Sequence, residues 1–279
     1  MEDNKKIKIQ IKSVFGDVLF EYEKENNTIK DAVEEAVRQK ASLDGANLNG
    51  ASLNGANLNR ANLNGASLDG ANLNRANLYG ASLDGANLNR ASLDGANLNR
   101  ASLDGASLDG ASLDGANLYG ASLNGANLNR ANLYGASLDG ASLNGASLNG
   151  ANLNGANLNG ANLNGAKDIP YIPLSCPSDG AFVGWKKVEN CLIKLEIPED
   201  ARRSSATTSK CRCDKAKVLD IINFDAKEHV EQVVNKAYNQ ETLYKVGEMV
   251  YPDKFDDNRW DECSNGIHFF INKQDAINY

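Results

Sequence analysis

Residues 41–60 read ASLDG-ANLNG-ASLNG-ANLNR, and the same five-residue unit runs without a register break to ANLNG at 161–165, making 25 consecutive units. Alanine opens every unit and leucine stands third in every unit. The second residue is Ser or Asn. The fourth is Asn or Asp, except at Tyr79, Tyr119 and Tyr134, and the fifth is Gly, except at Arg60, Arg75, Arg90, Arg100 and Arg130. A helix does not suit this pattern. Leucines five apart turn by about 500° at roughly 100° per residue, so they spiral and form no stripe. Glycine in most units would cost a helix about 1 kcal/mol each relative to alanine. Collagen needs a period of three and proline, and the stretch has no proline. Generic polar disorder does not place Leu and Ala invariantly in each unit.

A strand does suit it. In Ala-x-Leu the first and third side chains share a face and the second points away. Each unit thus offers a small and a large apolar group to one side and Ser or Asn to the other. The following Asn-Gly, Asp-Gly or Asn-Arg is turn chemistry. Short strand and corner, repeated, give a coil whose turns stack at about 4.8 Å and bury leucines that no single unit can bury. The five arginines read as corners that need no glycine-only backbone angle.

The motif A-[N/S]-L-x-[G/R] resembles that of the pentapeptide-repeat family over all of 41–165. The resemblance implies a β-solenoid: a right-handed quadrilateral β-helix with four units per coil, hence about six coils and a rod roughly 30 Å long. It implies that Leu43, Leu48, Leu53, Leu58, Leu63, Leu68 and the later third-position leucines fill the axis, with the alanines beside them. Residues 20 apart would stack. Asp84 and Asp104 then share a face with Asp44, Asp94 stacks with Asp114, and Tyr79 with Tyr119, while the arginines spread over three faces. No long charged or aromatic column is expected.

The chain has 279 residues, and all five prolines, both tryptophans and all five cysteines follow the repeats. Three domains are expected: 1–40, 41–165 and 166–279. In the first, IKIQIKSVFGDVLFEY at 7–22 alternates as two strands around Gly16. Thr28 then caps a helix carrying Ile29, Ala32, Val33, Ala36 and Val37 at helical spacing, ending near Lys40. This ββα unit reads as a cap, because an open solenoid end exposes leucines and unpaired strand edges. The third domain reads as α+β. Strands are expected at 182–188, 191–197, 216–222, 243–246, 249–251 and 266–271, helices at Asp225–Tyr238 and after Asn272, and a polar loop at 201–215. Residues from about 175 onward resemble a domain often attached to pentapeptide repeats, through Gly184-Trp185-Lys186-Lys187, Ala201-Arg202-Arg203-Ser204, Tyr244, Gly247, Asn258-Arg259-Trp260 and Cys263-Ser264-Asn265-Gly266-Ile267-His268-Phe269-Phe270. That resemblance implies a module and no particular activity.

Chemistry has three candidate places. The loop 202–217 carries six basic residues against Asp214 alone. Arg202, Arg203, Ser204, Ser205, Lys210 and Arg212 could hold a phosphate or other anion, since guanidinium forks and hydroxyls suit such oxygens. Cys211-x-Cys213 is a fragment of a zinc knuckle, but the paired CxxC pattern is missing, so no metal is assigned. Cys263 and His268 could pair as nucleophile and base. No P-loop, GxSxG, HExxH or dinucleotide fingerprint occurs, and no catalytic residue or cofactor is assigned.

The net charge of −7 argues against direct nucleic-acid binding. No apolar run reaches membrane-spanning length, and MEDNKKIKIQ lacks a signal-peptide core. A cytoplasmic protein is expected, and an odd cysteine count fits reduced thiols. The function expected is a non-enzymatic scaffold or interaction module with an unidentified protein partner. Self-association through the C-terminal domain or the solenoid ends is part of that expectation. The alternatives are a rod that imitates DNA and protects gyrase, which the family resemblance suggests, and a C-terminal domain with an anion site or enzymatic activity.

Overall fold

The computed structural model describes residues 6–172, 174–205, 208–237, 240–260 and 264–279. The chain divides into two compact units, Met1–Ile172 and Pro173–Tyr279.

The first unit begins with a hairpin, β1 (Lys6–Lys12) and β2 (Val18–Glu25), followed by α1 (Ile29–Arg38). Ile9 faces Tyr22 and Ile11 faces Phe20 across the hairpin, which turns at Gly16 with φ +97°. Helix α1 starts in a capping box: the Asp31 amide donates to Thr28 Oγ1 at 3.2 Å, and the Thr28 amide donates to Asp31 Oδ2 at 2.9 Å. Its Ala32, Val33 and Ala36 are buried. These elements take hydrogen bonds that a preceding coil would otherwise take. The Asn47 amide donates to the Lys12 carbonyl at 2.8 Å, where the Ser67 amide donates to Ala46. The Asn57 amide donates to the Glu34 carboxylate at 2.7 Å, and Lys30 Nζ donates to the Asn54 carbonyl at 3.0 Å.

The repeats form a β-solenoid-like stack. Second-position residues make parallel bridges to residues 20 further on, from Asn47–Ser67 to Ser147–Lys167. Leu48 N–H donates to Ser67 O at 2.7 Å and Gly50 N–H to Asp69 O at 2.9 Å, and this pattern recurs coil after coil. Within each unit the Ala N–H closes a turn on the preceding Leu carbonyl, as in Ala106 to Leu103 at 3.0 Å. Leu43, Leu53, Leu58, Leu63 and Leu68 are fully buried and Leu48 nearly so.

The corners correct one expectation. Arg60, Arg75, Arg90, Arg100 and Arg130 hold φ between +56° and +58°, the same left-handed region as the corner glycines. The turn fixes this angle whatever residue stands there, and an L-residue with a Cβ is strained in it by roughly 1–2 kcal/mol.

Arginine also organises the surface in a way the 20-residue offset hides. Each of three corner arginines reaches the fourth-position residue 21 back. Arg90 Nη2 donates to both Asp69 oxygens, at 3.1 and 2.9 Å, and Arg130 Nε to Asp109 Oδ1 at 2.9 Å. Arg100 Nη1 donates to Tyr79 Oη at 3.3 Å. Because Arg90 N–H also donates to Asp109 O at 3.0 Å, Asp69, Arg90, Asp109 and Arg130 form one alternating column. Arg60, Tyr79, Arg100 and Tyr119 form another. The expectation of no column compared like with like, and these columns are mixed.

The choice between Ser and Asn at the second position has a physical reason. An Asn there accepts the amide two residues on, as Asn87 does from Asn89 at 3.1 Å. In the first unit Ser42 accepts the Asp44 amide in the same way, at 3.3 Å. Where an Asn or Asp stands 18 residues back, however, the Ser hydroxyl and the fourth-position amide both donate to it: Ser107 Oγ and Asp109 N reach Asn89 Oδ1 at 2.6 and 3.0 Å.

In the second unit an eight-stranded sheet runs in the order β11-β7-β4-β3-β12-β6-β5, with β8 paired to β7 off that path. Its strands are β3 (Phe182–Val188), β4 (Cys191–Ile197), β5 (Arg203–Ser205), β6 (Lys210–Cys213), β7 (Ala216–Asn223), β8 (Glu228–His229), β11 (Met249–Val250) and β12 (Ile267–Phe270). A separate antiparallel pair, β9 (Gln232–Ala237) and β10 (Gln240–Lys245), brings Val233 and Tyr244 to the core of Ile193, Leu195, Val218, Ile221 and Phe269. Gly184 is required at the centre, since a Cβ there would lie 2.6 Å from the Phe269 ring. Helix α2 (Lys273–Asn278) is capped by Asn272, whose side chain accepts from the Gln274 amide at 2.7 Å.

Two expectations fail here. The helix expected at Asp225–Tyr238 is instead β8 and β9, with Tyr238 outside the described residues. Val230, Val233 and Val234 match helical spacing, but they are β-branched, and pairing of Val233 with Tyr244 and Val234 with Leu243 supplies both ladder and packing. The polar loop at 201–215 contains strands β5 and β6. Lys210 and Arg212 go inward because β6 is paired on both sides, to β5 and β12.

Among the described residues, no helix is long and apolar enough to cross a membrane.

Candidate functional site

The expected anion-binding residues are brought together on β5, β6 and the turn before them, and their donors engage the fold. The Arg202 amide and Nε bind the two Asp214 oxygens, each at 2.9 Å, and its Nη1 lies 3.3 Å from Asp257. Arg203 gathers carbonyls: Nη1 donates to Pro177 at 3.1 Å, and Nη2 to Gly180 and Pro198 at 2.7 Å and to Glu199 at 3.0 Å. Arg212 is 1% exposed, and its Nη2 donates to Asn258 O at 2.7 Å and its Nη1 to Asn265 O at 3.2 Å. Lys210 Nζ donates to Tyr279 Oη at 2.9 Å. Ser204 and Ser205 are buried, and Ser205 Oγ accepts from the Ser175 amide at 2.7 Å. Lys215, counted with the basic loop, lies 2.6 Å from Asp200.

The sheet's alternation sorts the rest. On β12, His268 faces Arg212 and Phe270 faces Lys210, while Phe269 faces Cys211 and Ile267 faces Cys213 on the core side. Among the described residues, no group of three or more His, Cys, Asp or Glu side chains is placed to hold a metal ion. Cys211 and Cys213 are fully buried, and burial pushes the Cys213 thiol up to about 12. The Cys263–His268 pairing falls on a residue outside those described. His268 Nε2–H donates to the Ser264 carbonyl at 2.8 Å.

Burial first, and then the Lys210 charge, lower the His268 imidazole from 6.5 to about 4. Between those values the unfolded chain takes a proton that the folded imidazole refuses. Its contribution is therefore full above pH 6.5 and lost as pH falls toward 4, by about 2–3 kcal/mol at pH 4.5. Urea unfolding followed by tryptophan fluorescence reports this unit, which holds both Trp185 and Trp260. His268→Asn is expected to flatten the fall in stability between pH 7 and 4.5 by that amount, and an unchanged slope rejects the assignment.

Sequence reasoning missed Lys186. On β3 it shares parity with Phe182, Gly184 and Val188, and its Nζ lies 6.0 Å above the Tyr244 ring. Burial lowers its ammonium to about 8 and raises the Tyr244 phenol above its ordinary range. A lysine on the apolar parity of an alternating strand was the available signal.

The pentapeptide-repeat family model, in eight copies, matches residues 41–78, 71–110, 91–130 and 131–167. The chain belongs to the pentapeptide-repeat family. Residues 172–276 match a family of unknown function (DUF5758). Among solved pentapeptide-repeat structures, Rfr23 from the cyanobacterium Cyanothece 51142 is 38% identical over 36% of this chain and 64% of its own, with a TM-score of 0.26. The chain thus spans 64% of that relative's length. HetL, involved in heterocyst differentiation regulation in Nostoc sp. strain PCC 7120, is 38% identical over 47% of this chain and 67% of its own, with a TM-score of 0.19. QnrB1, a plasmid-mediated fluoroquinolone resistance protein, is 21% identical over 43% of this chain and 59% of its own, also with a TM-score of 0.19. No curated relative matches the chain.

Proposed function

We propose that this pentapeptide-repeat protein is a non-enzymatic scaffold. Its repeat would be a right-handed quadrilateral β-helix of about six coils, capped by the N-terminal ββα unit, and its C-terminal domain would engage a protein partner. The observation that carries this reading is the use of the repeat's polar side chains on one another. Second-position serines bond the Asn or Asp 18 back, and corner arginines bond Asp69, Tyr79 and Asp109. Groups so engaged build a stiff rod and leave few donors for a substrate. The 20-residue bridge spacing supports four units per coil. The same reading includes a reducing, cytoplasmic setting, in keeping with four free thiols among the described residues.

The test uses nitroxide-bearing amino acids at Asn54 and Asn154, both exposed and five 20-residue steps apart. A rigid rod gives one narrow distance distribution near 24 Å plus the label length, from about 4.8 Å per step. A broad distribution overturns the rod. Protection of DNA gyrase in a supercoiling assay would favour the DNA-imitating alternative, and arginines interrupting the Asp69–Asp109 column weigh against it.

A further inference from the structure

Nine of the 25 repeat units end in Asn-Gly, and the last five units of the run, 141–165, all do. An asparagine before glycine carries a latent reaction. The glycine amide nitrogen can attack the asparagine side-chain carbonyl carbon, because no Cβ hinders the ring closure. The attack requires that neither the nitrogen nor the side-chain carbonyl is already held. Inside the stack both are. The Gly65 amide donates to Asp84 O and the Gly125 amide to Asn144 O, each at 2.8 Å. Asn64 Oδ1 accepts from Ser82 Oγ at 2.6 Å and from the Asp84 amide at 3.0 Å. Asn124 Oδ1 accepts from Ser142 Oγ at 2.6 Å and from the Asn144 amide at 3.2 Å. All of these partners lie 18 to 20 positions further along the chain, in the next coil.

From Asn149 onward the residue 20 positions further on lies past the repeats. Among the described residues, none accepts from the Gly150, Gly155, Gly160 or Gly165 amide, and none donates to Oδ1 of Asn149, Asn154, Asn159 or Asn164. These four glycines are exposed. Their corners otherwise match the interior ones: φ is +68° at Gly155 and +62° at Gly65. One dipeptide in one backbone conformation is thus locked inside the stack and unlocked at its last edge. Every aspartate of the repeats, by contrast, precedes a glycine whose amide is bonded, as Gly140 is to Asn159 O at 2.8 Å.

We propose that Asn149, Asn154, Asn159 and Asn164 are sites of spontaneous deamidation, which writes negative charge into 141–165, a segment with no charged side chain. The glycine N–H gives its proton to water or hydroxide, and the nitrogen attacks the asparagine Cγ. The new C–N bond closes a succinimide ring, the Cγ–Nδ2 bond breaks, and Nδ2 leaves as ammonia with a proton from solvent. Water then adds to either ring carbonyl, the ring C–N bond breaks, and aspartate or isoaspartate results. Each site consumes one water and releases one ammonia, with no oxidation or reduction. In the locked units the same attack requires the nitrogen to leave its ladder bond and the asparagine oxygen to shed its two donors. Such openings are frequent at the edge of a stack and rare inside it.

The full-length protein is incubated in mildly alkaline buffer made with heavy-oxygen water, so that each conversion leaves a heavy oxygen in the side chain. Trypsin at mildly acidic pH then separates 131–167, which holds the four sites, from 61–75 with Asn64 and from 101–130 with Asn124. Fragment ions in mass spectrometry locate the label. Asn149, Asn154, Asn159 and Asn164 are expected to convert about ten-fold faster than Asn64 and Asn124. Asn54 and Asn144 should fall between, since their glycine amides are bonded at 2.8 Å while no described residue donates to their side-chain oxygens. In concentrated urea, which removes the stack, all nine should convert at similar rates. Equal conversion of Asn64, Asn124 and the four sites in the folded protein overturns the proposal. An order that persists in urea also overturns it, because the cause would then lie in the local sequence and not in the open edge.

Discussion

Leu103→Ala is expected to destabilise the repeat by about 3 kcal/mol, within the usual 2–5 kcal/mol for removing a buried leucine. Leu103 is fully buried, as are Leu83 and Leu123, the leucines 20 residues to either side. Coils stacked at strand spacing on both sides cannot close inward without breaking their ladders, so the cavity stays open. The Leu103 amide bonds Ser122 O at 2.7 Å and the Ser102 amide bonds Ala81 O at 2.9 Å, which holds the backbone around the hole. Leu163→Ala, in the last unit of the run and 8% exposed, should cost distinctly less. Far-UV circular dichroism in a denaturant titration follows the repeat, and tryptophan fluorescence follows the second unit, where both tryptophans lie. A loss below about 1 kcal/mol at Leu103 would mean that the stack relaxes around the missing atoms.

Arg212→Ala should cost the second unit about 3–5 kcal/mol, the range for removing one member of a buried polar set. The guanidinium, nearly inaccessible to water, ties the Asn258 and Asn265 carbonyls to β6. It also stacks 5.9 Å from the Phe255 ring. Alanine leaves both a void and carbonyls without their donor. Arg212→Met fills the void but restores no donor, so its stability should fall between wild type and alanine. Urea midpoints by tryptophan fluorescence give the order, and hydrogen exchange should quicken at 256–260 and 264–266 in both variants. If alanine and methionine both stay within about 1 kcal/mol of wild type, Arg212 is not holding that segment.

Much of the repeat could be read directly, because its determinants are local. Ala-x-Leu states which side chains go inward, and the fifth position states where the chain turns. The ββα start was equally plain: Thr28 and Asp31 make their capping box within four residues. Where partners lie far apart, the reading weakened. Arg130 meets Asp109 across coils, at an offset of 21 that no like-with-like comparison shows. The corner arginines read as relaxed, since a type of residue does not announce its φ, and the closed turn imposes +57° on Arg130 as it imposes +64° on Gly45.

The second unit divides along the same line. Strand β4 and the cap of α2 were legible from alternation and from Asn272. The basic loop was not, because exposure is a property of neighbours. Arg212 is polar in the chain and buried in the fold only because β5 and β12 close on β6 from either side. The valines of 230–234 carry no statement of helix or strand until Tyr244 and Leu243 arrive opposite Val233 and Val234. The amino-acid order alone therefore established the solenoid-like stack of short strands, its leucine interior and its corner positions, all set by side-chain parity and turn chemistry within five residues. The folded chain established which charges pair and which go inward, because those depend on side chains brought together from 12 to 69 positions apart.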